Sequence, residues 1–562
     1  MLDWLTNLGQ KPDHPMHSIV EAERLLSDLP KEPLKALLEV TSWLTTVTGA
    51  SGFPLAIRMS VVKLIDQAGQ PFEPLLSRQY LTARTLKEFE RLRLWEAMQE
   101  FWERVANAYM RCLDEMQRRP SMMRAHRNDL PLLIVRTLRA LANQTKVLRL
   151  GPPASREKLW PPLFELYQQS EIFKCDTQSI VAYAGDTVNT SARQELLRAL
   201  LPSISSMVSM LPYHVELADR IAVRFGSSFS FSTSPDKGCN WCIDLAEPSQ
   251  PRHLSGDKPP TPTMRFFGAG VAIVKMEGAI RYLLADASVN SEFFGDDFSP
   301  QEKLIVFKYL ARHWSEPPPR RREPRDIAEG HIAVAHGFKA GADLLPHIEV
   351  PSMAVLTRDM EVKLKRDSGP GLAAHPMDIP TEKWLQHDVS VIGFSAKIPS
   401  SAKSWARIGV LCALKSDDAQ QWWIGVVRRL FGGELNDEFA GIELLAKEAA
   451  SGWLRTVDVR TLLADNWATS SGSFVYDYMN VILLVVAKAP RQHELLAERD
   501  TFVVGAIYEA MVGDNPHYLR FDELLERGED FDRVRFTWLA PESLKQEAAR
   551  TNLPLPVRRT PR

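Results

Sequence analysis

The hydrophobic pattern of this chain loses its helical period near Pro212, and that change limits what it can fold into. Up to about Pro212 apolar residues recur at helical spacing. In "TARTLKEFERLRLWEAMQEFWERVANAYMRCLDEMQ" (82–117), Leu94, Met98, Phe101, Val105, Tyr109, Cys112 and Met116 follow at intervals of four and three. They form one apolar stripe, with charged residues on the other faces. "LPLLIVRTLRALANQTKVLRL" and "ARQELLRALLPSISSMVSML" continue the pattern. A helical bundle with Met and aromatic core residues is expected over 1–212. The stripe itself says nothing of what the bundle binds.

Past Pro212 the pattern is mixed. "RIAVRFGSSFSFSTS" alternates as a strand does, "QPRHLSGDKPPTPT" is a polar loop, and "RFFGAGVAIVKMEGAIRYLL" predicts a strand running into a helix. Ser299, Pro300 and Glu302 occupy the N-cap, N1 and N3 positions of a capping box. The helix they start, with Leu304, Phe307, Leu310 and Trp314 on one side, must stop before Pro317. Residues 213–315 are thus expected to be a mixed α/β segment ending in a helix.

From "HIAVAHGF" (331–338) onward the chain reads mostly as strands. "DVSVIGFSAKI", "RIGVLCALK", "QWWIGVVRRL" and "FAGIELL" are separated by turn-like "KSDDAQ" and "FGGELNDE". Four strands so closely spaced predict a small antiparallel barrel or sandwich over 316–450. Residues 339–386 look irregular. "NVILLVVAKA", "TFVVGAIYEAMV", "HYLRFDELL" and "VRFTWLA" predict a second β-rich unit over 451–562, which can be read as a distant copy of the first barrel. The fold class expected is multidomain α+β.

At 562 residues the chain is long enough for three or four domains, and its net charge of −2 creates no global field towards DNA or anionic membrane. No apolar run approaches the ~18 residues that span a bilayer. The best, "VILLVVA" at 481–487, has the length of a buried strand. The start of the chain lacks the pattern of a secretory signal. Five cysteines, few and odd in number, suggest a reducing cytoplasm. A cytoplasmic protein with neither membrane span nor DNA partner is expected.

Against that neutral background "EPPPRRREPR" (316–325) stands out. It holds RxxxR as Arg321 and Arg325, a weak signal alone, since the spacing recurs at Arg220/Arg224 and Arg558/Arg562. "DVSVIG" (388–393) is a DxSxxG pattern. An arginine fork matches phosphate or the O6/N7 edge of guanine, and a carboxylate accepts from guanine N1 and N2. Asp388 and Ser390, two apart on a strand, share a face, and Gly393 would let the backbone turn or approach closely.

RxxxR after a helix, then DxSxxG heading a strand series, resembles the PilZ domain, the bacterial receptor for cyclic di-GMP. "WWIGVVRRL" and "FAGIELL" look like that family's last barrel strands. The resemblance covers about residues 316–450. It implies cyclic di-GMP as ligand, gripped by Arg321 and Arg325 and by Asp388 and Ser390, with Gly393 completing the motif. Arg320 occupies the position that accompanies binding of two intercalated ligands. Arg325 and Asp388 lie further apart than the family usually has them, so 339–386 is taken as an insertion in an early barrel connection. The implied function is a non-enzymatic receptor without further cofactor, which rearranges its domains and signals to a protein partner through its helical or C-terminal region. Motility, attachment and exopolysaccharide control are that family's usual outputs. The alternative is a ligand-independent scaffold.

Other signals are weaker. Cys239 and Cys242 form a single CxxC without a partner pair, more in keeping with reduced cysteines at a strand end than with metal. "FGAGVAI" has Ile273 where a dinucleotide loop needs its third glycine. His331 and His336 flank a strand. Trp422 and Trp423 face opposite ways, so at most one could stack on a base, and core packing is the default.

Overall fold

A computed structural model of the chain describes residues 13–83, 86–151, 157–254, 259–285, 294–295, 297–315, 326–328, 330–346, 379–432, 437–456, 478–485, 493–512 and 515–540. The chain divides into two compact units, Met1–Val208 with Pro212–Arg320, and Ser209–Leu211 with Arg321–Arg562.

The first unit is built on helices α1 (Ile19–Ser27), α2 (Pro33–Gly49), α3 (Leu55–Gly69), α4 (Phe72–Thr82), α5 (Glu88–Gln117), α6 (Pro120–Ala125), α7 (Leu130–Leu150), α8 (Trp160–Ile172), α9 (Ala192–Ile204) and α10 (Pro212–Gly226). Every member of the expected stripe, from Leu94 to Met116, is buried along α5. α5 packs on α2 and on α7. α7 is buried on nearly all sides, Arg136, Lys146 and Arg149 included. A helix buried all round is normally apolar, so each of those cations must meet acceptors inside the bundle.

The expected strand over "RIAVRFGSSFSFSTS" is corrected. α10 runs through Gly226, and only Ser230–Ser232 form a strand, β1. Leu217, Ile221 and Phe225 lie on its buried side, while Val223 is 47% exposed. Five residues can satisfy period two and period 3.6 together, and the longer run decides. With β2 (Trp241–Asp244), β3 (Arg252–His253) and β4 (Met264–Gly268), β1 forms a sheet of order β1-β4-β2-β3. β4 leads into α11 (Val271–Ala285), as expected. α12 (Pro300–Trp314) starts at a capping box. Ser299 Oγ accepts from the Glu302 amide at 3.2 Å, and Glu302 Oε2 accepts from the Ser299 amide at 2.8 Å. Phe307, Leu310 and Trp314 are buried, and the helix ends at Trp314.

The second unit contains two closed six-stranded antiparallel barrels. The first uses β6 (His331–His336), β7 (Glu382–Ser390), β8 (Gly393–Lys397), β9 (Leu411–Ser416), β10 (Trp423–Gly432) and β11 (Glu438–Ala446), in the order β7-β6-β9-β10-β11-β8, and closes by β7 pairing with β8. The two-residue β5 (Asp326–Ile327) extends the line of β6 along β7. Ile332, Val334, Trp384, Phe394, Val427 and Ile442 help fill the barrel with side chains. The second barrel has the order β12-β13-β14-β17-β16-β15, from β12 (Ala449–Thr456), β13 (Tyr478–Leu484), β14 (His493–Glu498), β15 (Ile507–Val512), β16 (Asn515–Arg527) and β17 (Phe531–Leu539). Short helix α13 (Phe338–Leu344) packs with Leu411, Ile424, Ile482 and Phe531 in a core shared by both barrels. Asp530 accepts from the amides of Phe338 (2.7 Å) and Leu411 (3.0 Å) across that junction, and Arg428 bridges Glu443 and Glu526.

Three strand readings are corrected. "DVSVIGFSAKI" is a hairpin, the end of β7 and all of β8, because Val391 and Ile392 turn the chain. The stretch 339–386 contains most of α13 and the first half of β7, and residues 347–378 of the expected insertion lie outside the described residues. The second barrel has two strands beyond the four expected. β12 was hidden by the small residues of "AASGWLRT", and β14, "HELLAE", by its charged ends.

Candidate ligand-binding face of the first barrel

Residues opposite one another in an antiparallel pair share a face, so register places the motif side chains. Phe394 and Ala396 point into the barrel core, which sends Ser395 between them to the outer face. Asp388 stands opposite Ser395, and Ser395 opposite Gly441. Gly441 in turn stands opposite Arg429. One outward row therefore crosses four strands, as Asp388, Ser395, Gly441 and Arg429. Two irregularities produce it. Register shifts between Gln386 and Asp388 on β7, and between Val427 and Arg429 on β10. Each bulge turns over the side chains that follow it. Without the first, Asp388 would face the apolar core.

The motif residues also hold the hairpin together. Asp388 Oδ1 accepts from the Ser395 amide at 3.0 Å, and Ser390 Oγ donates to the Gly393 carbonyl at 3.0 Å. A hydroxyl that spends its one hydrogen on Gly393 offers lone pairs to anything outside. Asp388 is 18% exposed, with the more exposed His387 3.8 Å from its Oδ2. Gly393 is required by close approach, since a Cβ there would lie 2.2 Å from the Ile442 carbonyl oxygen. Gly441 leaves room for Arg429, whose Cγ and Nε would each lie 2.7 Å from a Cβ at that position.

Beside the row lies an aromatic ledge. Phe431 and Phe439 stack with centroids 5.5 Å apart, and Arg429 Cζ stands 4.9 Å from the Phe431 centroid. The His387 ring meets Phe439 edge to face at 5.1 Å. Ser395 is fully buried, and its Oγ has no hydrogen-bond partner among the described residues. Sequence reasoning missed Ser395, Arg429 and the ledge, because a bulge leaves no mark in the hydrophobic pattern.

Arg320, Arg321 and Arg325 lie outside the described residues. The residues directly after them do not. Asp326 pairs with Val389 and Ile327 with Asp388, so the chain leaving the arginine segment lies against the strand that carries DxSxxG. The length of chain between the two motifs does not separate their ends, because β5 and β6 run antiparallel to β7.

Trp423 packs against the barrel core and Trp422 against the inter-barrel core. His331 and His336 sit at the ends of β6, and His336 stacks on Trp405 at 4.3 Å. Cys239 and Cys242 are buried with Met264 and Phe266. No helix among the described residues is long and apolar enough to cross a membrane.

Comparison with known proteins gives one family. Residues 20–236 match the family model described as "Cyclic-di-GMP receptor FimW, N-terminal domain". The match covers the helices from α1 to α10 and falls short of both barrels. Neither a curated protein nor a solved structure matches the chain.

Proposed function

We propose that this chain is a receptor for cyclic di-GMP, with its site on the outer face of the first barrel. That barrel is read as a PilZ-type domain. The observation that carries the reading is the pairing of Asp326 with Val389 and of Ile327 with Asp388. Arg325 directly precedes Asp326 in the sequence, and Asp326 is held against β7. Support from a separate part of the chain comes from the match of residues 20–236 to a domain of a cyclic-di-GMP receptor.

On this reading Arg321 and Arg325 grip phosphate and guanine, and Arg320 accompanies a second ligand. Asp388 and Ser390 accept from a guanine edge. The acceptor set fits, because a carboxylate and a hydroxyl with its hydrogen already committed can both accept, as guanine N1–H and N2–H require. Gly393 serves by keeping β8 close to β11. The protein does no chemistry on the ligand. It acts as a cytoplasmic signalling component, passing the bound state to a protein partner through its helical region or second barrel.

Calorimetric titration of the full chain with cyclic di-GMP tests this. Micromolar or tighter binding, lost in both Arg325→Ala and Asp388→Asn, is expected, and a stoichiometry near two would support the role of Arg320. Binding that persists in both variants would move the site elsewhere. No binding would leave the ligand-independent scaffold as the better reading, and product formed from the dinucleotide on long incubation would make the protein an enzyme.

A further inference from the structure

We propose that the helical unit holds a second small-molecule site, a cleft that takes a guanidinium or amidinium cation. The cleft has a volume of about 930 Å³ and is walled by α4, α7, α9 and α10, within the range of sites for small ligands. The cations deepest in it are already engaged. Arg139 donates to Glu195 Oε1 at 2.7 Å and to Asp186 at 2.6 Å, Lys146 to Glu216 at 2.9 Å, and Arg198 to Asp219 at 2.8 Å. An anionic ligand would have to break those pairs.

The cleft also holds buried acceptors whose hydrogen bonds are incomplete. Glu73 Oε1, Ser77 Oγ and Glu195 Oε2 have no hydrogen-bond partner among the described residues. Their residues are only 6%, 5% and 3% exposed, and all three line the cleft. Glu73 and Ser77 lie one turn apart on the same face of α4. Trp102 acts on Glu73 from one side, and Lys146 faces it but is bonded to Glu216; Arg198 reaches Glu195 Oε2 only at 3.9 Å, so neither carboxylate has its full complement of donors. Buried carboxylate oxygens are normally met by donors. A planar guanidinium brings five N–H groups and one positive charge, which suits acceptors spread over α4 and α9. A bare ammonium brings three donors and would leave most of this volume to water.

The test is calorimetric titration of the full chain with agmatine, beside putrescine, which replaces the guanidinium by an ammonium on the same four-carbon spacer. Saturable agmatine binding is expected, weakened about thirtyfold or more in Glu73→Gln by loss of a buried charge pair. Putrescine should bind more weakly, and Asp388→Asn should leave agmatine binding unchanged. Val223→Trp, a substitution of a 47%-exposed residue at the cleft rim, should block entry without touching the buried charges. No saturable binding at millimolar agmatine, or equal binding in Glu73→Gln and Val223→Trp, would overturn the proposal.

Discussion

Asp388 has two tasks that one substitution cannot separate but two can. Its Oδ1 accepts from the Ser395 amide at 3.0 Å, tying β7 to β8 just past the bulge. Hydrogen bonds to charged groups contribute about 1.5–3 kcal/mol, and the 18% exposure of Asp388 moves this one towards the lower end. Asp388→Ala should therefore cost about 1–2 kcal/mol of barrel stability. Asp388→Asn keeps an acceptor at Oδ1 and should lose less than about 1 kcal/mol, since a neutral bond still contributes ~0.5–1.5. For the ligand the order differs. A guanine edge presents two donors, and an amide side chain has a single oxygen to accept them, so both variants should bind cyclic di-GMP poorly. Urea unfolding, exchange of the Ser395 amide and calorimetry together read the two tasks. The expected pattern is loss of binding in both variants, with loss of Ser395 protection only in the alanine variant. Unchanged protection in Asp388→Ala would refute the structural role, and wild-type affinity in Asp388→Asn would refute the ligand role.

Gly393→Ala should destabilise the first barrel by about 1–3 kcal/mol through overpacking, because both neighbours of the new methyl, the Ile442 oxygen at 2.2 Å and Glu443 Cα at 3.2 Å, are backbone. Amide exchange in β8 and β11 should rise, and an unchanged melting temperature would show that the strands can part freely. Asp530 contributes a pH dependence of its own. Burial pushes its pKa up to about 6 although the amides of Leu411 and Phe338 pull it down. A folded value above the unfolded one, near 3.8, means stability present below pH 4 and lost as pH rises through about 6, by up to ~3 kcal/mol. Asp530→Asn should lessen the loss of stability from pH 4 to 7 relative to the wild type, read from denaturation midpoints, and an identical profile in the two proteins would refute the contribution.

The α5 stripe and the α12 capping box were legible because each depends on local spacing alone. Leu94 to Met116 share a face whatever surrounds them, and Ser299 and Glu302 satisfy one another across a single turn. α10 was misread because "RIAVRF" fits either period within its length, and only the partners of Val223 and Phe225 could choose. The strands of the first barrel were mostly visible, and its closure was not, since closure depends on β7 meeting β8 through an irregular register. The face itself was half legible. Asp388 and Ser390 could be paired from the motif, but the bulge that turns them outward, and the arrival of Ser395 and Arg429 beside them, are products of register between distant strands. The interior of the helical unit shows the same limit. Lys146 and Arg149 on α7 are buried because helices far along the chain bring Glu216 and Ser203 to them.

The weakest pairing in the first barrel is also the one the proposed ligand would use. β5 has only two residues, and Ile327 is 89% exposed, so little apolar burial holds it to β7 and local opening there is inexpensive. The motif hairpin has its own ties at Ser395 and Gly393 and needs no ligand to persist. A dinucleotide gripping arginines ahead of β5 and carboxylate on β7 would bridge the two sides of that short pairing, and would favour the closed arrangement by its differential affinity for it. The division between the two compact units falls between Arg320 and Arg321, inside the arginine segment. On the proposed reading, a bound ligand would act at one of the points where the chain passes between the units. A site with both arms on the preformed hairpin would bind as well and signal nothing.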